Sequence, residues 1–366
     1  MNKPSLLAYV MGTIAIVTIA ILISLSASPN RDVFEGASIM QSSRVDGLFN
    51  ELKTVCIGRF LLEVPQASEV VYGPAEVPFS LEIFKGKGAS LDDVVLSRLA
   101  EIESERRSAE GSLRDPNSLV GKVMDGASTG QKIVFGVSKS SGVFYRIQSY
   151  LRRGEDLFVH EVDSIAMKEN YESDVHRLNL MAFRLRSRDE TEIPQAPGIC
   201  VDHGFVDESP ESMREYVTLG VRLQALPDVH FSISATNKMK WLASDALEPR
   251  LKMAEKNARL EGYGAWYSRI KTLRRGNREL GKWKGFEILT RMPAQETEGE
   301  SHEFKFVSQG EPKNPLLPLL ELELRTGVKG NDIGGTKPSI SDEEALALWD
   351  RLTDSIRVRP TIPTSN

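Results

Sequence analysis

The sequence predicts an α+β fold of two related domains, each an antiparallel sheet with packed helices, after an N-terminal transmembrane helix. Three observations predict this fold. Between residues 53 and 360, apolar runs of strand length alternate with segments that have the helical period. The order of these segments in the first half of that region is repeated in the second half. Finally, the segment from Leu6 to Leu25 contains no charged residue.

The length and composition limit the classes of protein to consider. At roughly 100–200 residues per domain, 366 residues correspond to two domains, each large enough to bury its own core. A hydrophobic content of 40% with 27% charged residues excludes a disordered chain and a polytopic membrane protein. A formal net charge of −5 provides no basic surface for nucleic acid. Two cysteines are too few for a four-cysteine zinc module, and we expect no cofactor.

The uncharged N-terminal segment determines the expected compartment. A helix of about 20 residues spans the roughly 30 Å hydrocarbon core of a bilayer. Two interpretations of residues 1–28 stay open: an uncleaved transmembrane anchor, or a signal peptide cleaved near Ser26-Ala27-Ser28. Both interpretations export the rest of the chain, in which residues 29–52 form a linker.

The first predicted domain covers residues 53–188. It begins with one apolar strand, Val55–Val64, and continues with an alternating strand, Pro78–Lys85. Ser90 and Asp93 predict a capping box for a helix that runs to about Arg107. The remaining predicted elements are strands at Ser118–Met124, Gln131–Ser138, Val143–Leu151 and Leu157–Ile165, and a helix at Tyr171–Phe183.

The second predicted domain covers residues 198–360 and follows the polar linker Asp189–Pro197. It again opens with a cysteine-containing strand, Gly198–Val206, and closes with a helix for which Ser341 and Glu344 predict a capping box. The elements predicted between them are strands at Val217–Leu223, His230–Ala235, Arg278–Trp283, Gly285–Arg291, His302–Gln309 and Leu319–Thr326, and a helix at Ala246–Leu260.

The two cysteines occupy corresponding opening strands of the two predicted domains. In an oxidising compartment a pair of cysteines tends to bond, so a structural disulfide between Cys56 and Cys200 is expected. Such a bond would join the two domains at equivalent points. Two separately buried thiols are the alternative.

Motifs that suggest catalysis lack the required context. Gly126-Ala127-Ser128-Thr129-Gly130 fits the pattern of a hydrolase nucleophile elbow, but that elbow needs a helix after the serine, and here the sequence continues as a strand. Asp202 and His203 resemble half of a triad or a metal pair. Adjacent side chains of a strand point to opposite faces, so we expect them not to act together. No catalytic residue and no metal site is predicted.

Three motifs resemble a known family. The two openings, Lys53–Pro65 and Gly198–Val206, and the closing segment Trp349–Pro360 are similar to the immunity proteins that neutralise class-four lipase effectors of the bacterial type VI secretion system. The resemblance covers about residues 50–360. It implies a two-domain, claw-shaped protein without enzymatic activity, which lies in the periplasm and clamps a phospholipase partner so that its active site is blocked. If the N-terminal segment is uncleaved, the chain is a single-pass protein of the inner membrane.

Two loops of the second predicted domain are the candidates for contact with this partner, because binding residues tend to lie on loops held by rigid scaffolds. One is Pro293–His302 and the other is Gly327–Pro338; their candidate residues are Glu296, Glu298 and Glu300 in the first, and Lys329, Asn331 and Asp332 in the second. Alternatively, these loops are ordinary surface insertions. Two other functions stay open: a membrane-anchored hydrolase that uses Ser128, and a periplasmic solute-binding or scaffold protein.

Overall fold

The structure is a computed structural model that describes residues 44–208, 214–295 and 298–362. The predicted anchor or signal segment, residues 1–28, lies outside the described residues, as does most of the predicted linker 29–52. Within the described ranges, no helix is both long and apolar enough to cross a membrane.

The described residues divide into two compact units. The first unit contains the residues up to Thr54, Leu61–Val71 and Leu219–Arg357. The second unit contains Val55–Phe60, Tyr72–Thr218 and the residues after Arg357. Several strands therefore contribute residues to both units: β1 (Leu52–Ile57), β2 (Phe60–Pro65), β3 (Glu69–Glu76), β12 (Tyr216–Leu223) and β18 (Arg357–Val358). The division of the chain into two related domains, residues 53–188 and 198–360, stays a prediction.

The second unit is built on antiparallel strands in the order β4-β8-β7-β6-β5. Their bounds are β4 Ser80–Phe84, β5 Val123–Asp125, β6 Gln131–Val137, β7 Phe144–Arg153 and β8 Asp156–Ile165. Two helices accompany them, α1 (Leu91–Glu105) and α2 (Lys168–Arg184). A small antiparallel sheet has the order β10-β11-β9, with β9 at Leu185–Ser187, β10 at Gly198–Val201 and β11 at Gly204–Asp207.

The first unit contains antiparallel strands in the order β14-β15-β16-β17-β13. Their bounds are β13 Leu226–Thr236, β14 Lys271–Leu280, β15 Trp283–Met292, β16 Ser301–Ser308 and β17 Leu319–Arg325. The helices of this unit are α3 (Leu247–Leu260), α4 (Gly264–Tyr267) and α5 (Asp342–Asp354). Helices and antiparallel strands in both units confirm the α+β fold class.

Each unit has an aromatic centre in its core. In the second unit the rings of Phe135, Tyr145 and Tyr171 meet edge to face, with centroids 5.6–6.2 Å apart. In the first unit the indole of Trp349 on α5 lies 6.2 Å from the ring of Phe231 and 6.0 Å from that of Phe304. Trp349 is fully buried, so it fixes α5 against one face of the sheet.

Both predicted opening strands are wrong in the same way, because each is interrupted by a turn. In the first opening, Gly58 has φ +55° and separates β1 from β2. In the second, His203 has φ +48°, and residues 202–203 turn the chain between β10 and β11. Gly281, with φ +57°, likewise interrupts the predicted strand Arg278–Trp283. The apolar run conceals the turn at Gly58 because the residues on both sides of it are buried. The other two turns lie at polar or exposed residues, Asp202-His203 and Gly281-Lys282.

One predicted capping box forms and the other does not. The Ser341 side chain accepts a hydrogen bond from the Glu344 amide, and the Glu344 side chain accepts one from the Ser341 amide. Ser90 makes no side-chain capping bond, because it belongs to a 3₁₀ turn at Gly88–Ser90 and its ψ is 17° instead of extended. A serine caps a helix when its own backbone is extended, which places the hydroxyl over the first turn.

Cys56 and Cys200 form a disulfide, with Cα atoms 5.9 Å apart. Backbone hydrogen bonds in both directions between Gly58 and Cys200 align the two segments beside the bond. Both cysteines belong to the second unit. The predicted disulfide is therefore confirmed, and it crosslinks two segments of the second unit.

The linker Asp189–Pro197 is fixed by two buried arginines of the second unit. Arg188 donates hydrogen bonds to the carbonyl oxygens of Asp189, Glu190 and Glu192. Arg359 donates to those of Pro194, Ala196 and Gly198, and burial lowers the pKa of Arg359 to about 10. A segment held by so many buried donors is part of the fold and is not a free connection.

Candidate partner-binding surface

The two loops that the sequence predicts as partner contacts meet at one end of the first unit's sheet. Strand β16 begins at Ser301 and strand β17 ends at Arg325, and the two strands are antiparallel with Glu303 opposite Arg325. The chain before β16 and the chain after β17 therefore leave the sheet at the same end. We call residues 293–300 the acidic loop, residues 327–338 the glycine loop, and the two together the two-loop surface.

The two loops are hydrogen-bonded to each other. The Gly299 amide donates to the Gly334 carbonyl at 2.7 Å. Gly334 has φ +70°, and a Cβ at this position would lie 2.8 Å from the Gly299 carbonyl oxygen. Only glycine permits both this backbone conformation and this close approach. Gly334 therefore serves the packing of the two loops against each other.

A buried carboxylate holds both ends of the glycine loop. Asp228, near the start of β13, is 6% exposed, and its Oδ2 accepts hydrogen bonds from the amides of Gly327 and Ser339, each at 3.0 Å. The Asp228 carbonyl accepts a third bond, from the Val328 amide. Sequence reasoning missed Asp228. The signal in the sequence was an acidic residue between the buried apolar residues Leu226 and Val229.

The residues that flank the two loops, His302 and Thr326, are held in place at the start of α5. His302 is 2% exposed, and its ring nitrogens lie 2.8 Å from Thr326 Oγ1 and 3.0 Å from Asp342 Oδ1. Lys271 also donates to Asp342. Burial lowers the pKa of His302, and the adjacent carboxylate of Asp342 only partly opposes this effect. The loops thus rest on a rigid base, which is the arrangement that a binding surface requires.

Five of the six predicted contact residues are described, and all five are exposed: Glu298, Glu300, Lys329, Asn331 and Asp332. Glu296 lies outside the described residues. At the tip of the glycine loop, backbone bonds in both directions connect Lys329 and Asp332, around Gly330 with φ +64°. Within the described part of the chain, none of the four charged side chains forms an ion pair, so their charges are available to a partner.

Charged residues on the adjoining sheet continue the surface, and sequence reasoning missed them. On β17, Glu323 forms ion pairs with Lys305 and Arg325. Burial raises the pKa of Glu303 to about 7; Arg325 opposes the shift, whereas the carboxylates of Glu323 and Glu298 add to it. The negative charge of Glu298 on the acidic loop thus disfavours ionisation of Glu303 on the sheet. The alternation of charged and apolar residues along β16 and β17 was the signal that could have revealed this face.

The catalytic motif is not formed. Residues 126–130 connect β5 to β6, so Ser128 lies in a strand–turn–strand hairpin and not before a helix. The Ser128 hydroxyl accepts a hydrogen bond from Arg153 Nη2 at 2.8 Å, which occupies it in a structural contact. This geometry confirms the interpretation of the glycine-serine motif as a hairpin loop.

The premise that Asp202 and His203 lie in one continuous strand was wrong. Because they occupy the β10–β11 turn and not a strand, their side chains do not point to opposite faces. Three ligand atoms, one each from Asp202, His203 and Glu190, lie within 4.8 Å of one another.

The comparisons with known proteins cover nearly the whole described chain. Residues 192–361 match the model of a family described as "Tle cognate immunity protein 4 C-terminal domain". Among solved structures, the apo immunity protein TplEi of the type VI secretion system from Pseudomonas aeruginosa is similar over 85% of this chain and 98% of its own, with 22% identity and a TM-score of 0.66. TplEi in complex with an "L" peptide is similar over 86% of this chain and 100% of its own, with 23% identity and a TM-score of 0.63.

A crystal structure of a Tle4-Tli4 complex contains a chain similar over 86% of this chain and 99% of that one, with 22% identity and a TM-score of 0.67. At these identities the structural likeness shows the fold. No curated protein matches the chain in sequence. The resemblance inferred from the opening and closing motifs is confirmed over residues 192–361.

Proposed function

We propose that this chain, whose residues 192–361 match the model of the Tle cognate immunity protein 4 C-terminal domain, binds and inhibits a lipase toxin of the type VI secretion system. The family match is the observation that carries the proposal. It includes both loops of the two-loop surface and Asp228, which anchors one of them. The similarity to TplEi and to the Tle4-Tli4 complex supports it, because the shared fold extends over 85–86% of the chain.

The proposed site of action is the periplasm. A disulfide persists in an oxidising compartment, and the Cys56–Cys200 bond supports export of the chain. Residues 1–28, as either an anchor or a cleaved signal, would provide that export. In the anchored form, a single transmembrane helix would precede two related domains that face the periplasm.

The proposed activity is inhibition by binding and involves no turnover by the chain itself. The hydrogen-bonded hairpin serine, Ser128, supports this, because an elbow nucleophile must be exposed on a strand–helix turn. A standard interface buries roughly 1,600 Å² in total. The two loops by themselves are too small for such an area, so we expect residues of both predicted domains to contribute to lipase binding.

The two-loop surface supplies the charged part of this interface. Glu298 and Glu300 present negative charge on one loop, and Lys329 presents positive charge on the other. Charged groups of this kind accelerate association and fix the register of a partner more than they add to affinity. Their reversal should therefore reduce the association rate most strongly.

The test is inhibition of a candidate cognate lipase effector of the type VI secretion system, measured as phospholipid hydrolysis with increasing amounts of the full chain. We expect stoichiometric inhibition by the wild type and a lower association rate for the double variant E298K/E300K and for Lys329→Glu. The controls matched in charge are E248K/E261K for the double variant and Lys252→Glu for Lys329→Glu, all at exposed residues in or next to α3 of the same unit.

A lack of inhibition by the wild-type chain would contradict the proposed function. Inhibition with unchanged kinetics in all loop variants would leave the function in place and exclude the two-loop surface from the interface.

A further inference from the structure

We propose that Glu190, Asp202 and His203 form a binding site for a divalent transition-metal ion of the zinc type in the second unit. The site is independent of the proposed immunity function. It joins the segment 189–197 to the turn between β10 and β11, and its three ligand atoms lie within 4.8 Å of one another. No part of the two-loop surface takes part in it.

The environment of the His203 ring indicates a cation. Its Nδ1 lies 3.1 Å from Asp156 Oδ2, and its Nε2 lies 3.0 Å from Glu190 Oε1. A neutral imidazole has one N–H and can donate to only one of these carboxylates. On the other side, a nitrogen lone pair would face a carboxylate oxygen. That contact becomes favourable when a metal ion binds both atoms as neighbouring ligands.

Asp156 has the position of a carboxylate that orients a metal-binding histidine. It is largely buried, and its Oδ1 accepts a hydrogen bond from the Gly86 amide at 2.9 Å, which fixes the carboxylate. Asp156 is placed to accept a proton from Nδ1 of His203, which would leave the lone pair of Nε2 directed toward Glu190. Metal-ligating histidines usually have such a partner on the second nitrogen.

Lys85 supplies the positive charge of this cluster in the structure. Its Nζ lies 3.1 Å from Asp202 Oδ1 and 3.6 Å from Glu190 Oε1. The Lys85 side chain is 49% exposed, so it can move into solvent when a dication occupies the site. A metal ion would then compete with this ammonium group for the same two carboxylates. One imidazole nitrogen with two carboxylate oxygens suits zinc better than magnesium or calcium, which prefer oxygen ligands alone.

The experiment is calorimetric titration of Zn²⁺ into the full chain, freed of any affinity tag and kept in detergent because of its apolar N-terminal segment. We expect one bound Zn²⁺ per chain. His203→Gln and Glu190→Gln should abolish or strongly weaken binding, and Asp156→Asn should weaken it about 10–100-fold. Lys85→Met should strengthen binding, because it removes the competing cation. His176→Gln, an exposed histidine on α2, is the control and should bind like the wild type.

Glu190 is 59% exposed, so its substitution tests the site even if a change at His203 prevents folding. Absence of Zn²⁺ binding by the wild type would overturn the proposal. So would binding of equal strength by the wild type and Glu190→Gln, or weaker binding by Lys85→Met. None of these results bears on lipase inhibition, which is measured separately.

Discussion

Removal of the Asp228 carboxylate should release the glycine loop and lower the free energy of unfolding by about 3–6 kcal/mol. Oδ2 of this residue accepts two backbone hydrogen bonds at 3.0 Å, and the residue is 6% exposed. A hydrogen bond to a charged acceptor is worth about 1.5–3 kcal/mol, and Asp228→Ala leaves two buried amides without this acceptor. Asp228→Asn retains an oxygen that accepts both bonds, so its loss should be about half as large.

Urea denaturation gives the free energies, and amide hydrogen exchange at Gly327 and Ser339 reports the loop itself. We expect faster exchange at both amides in Asp228→Ala under native conditions. The control is Asp332→Ala at the exposed loop tip, where a change within about 0.5 kcal/mol is expected. Wild-type stability and wild-type exchange in Asp228→Ala would refute the assignment of Asp228 as the loop anchor.

Three further predictions follow from single features of the structure. Gly334→Ala should lower the free energy of unfolding, measured by urea denaturation, more than Gly330→Ala does. Both glycines have positive φ, but only a Cβ at position 334 meets a backbone oxygen, at 2.8 Å. Equal losses of stability in the two variants would contradict the loop–loop contact. Replacing Cys56 and Cys200 by alanine should lower the free energy of unfolding by up to about 5 kcal/mol, since the bond closes a loop of 144 positions. Unchanged stability under matched oxidising conditions would argue against the bond. His160 is buried, and burial lowers its pKa from 6.5 to about 4, so the unfolded chain takes up a proton at higher pH than the folded chain does. Stability should therefore fall as the pH drops from 6.5 to 4, and this residue contributes up to about 3 kcal/mol of the fall. His160→Met should reduce the fall. Identical profiles of stability against pH for the variant and the wild type would exclude this cause.

The sequence by itself determined the elements whose signals are local. The helix at Asp342–Asp354 was predicted from a capping box that forms as expected, and the long strands β7 and β8 were predicted within two residues at each end. Ser128 was correctly interpreted as a hairpin residue because the following strand pattern is local too. The resemblance of the closing segment to an immunity family depended on residue identities, and the family match confirms it over residues 192–361.

Tertiary structure decided what depends on the approach of distant segments. The turn at Gly58 lies inside an apolar run, and periodicity does not reveal a turn whose flanking residues are all buried. The meeting of the acidic and glycine loops follows from the antiparallel pairing of β16 with β17, which a sequence pattern does not specify. The same holds for the cluster of Glu190 with His203. These two residues come together because buried arginines hold the 189–197 segment in place within the second unit. Hydrophobic patterning reports which side chains are buried, whereas the partner of each buried group is set by the packing of the whole chain.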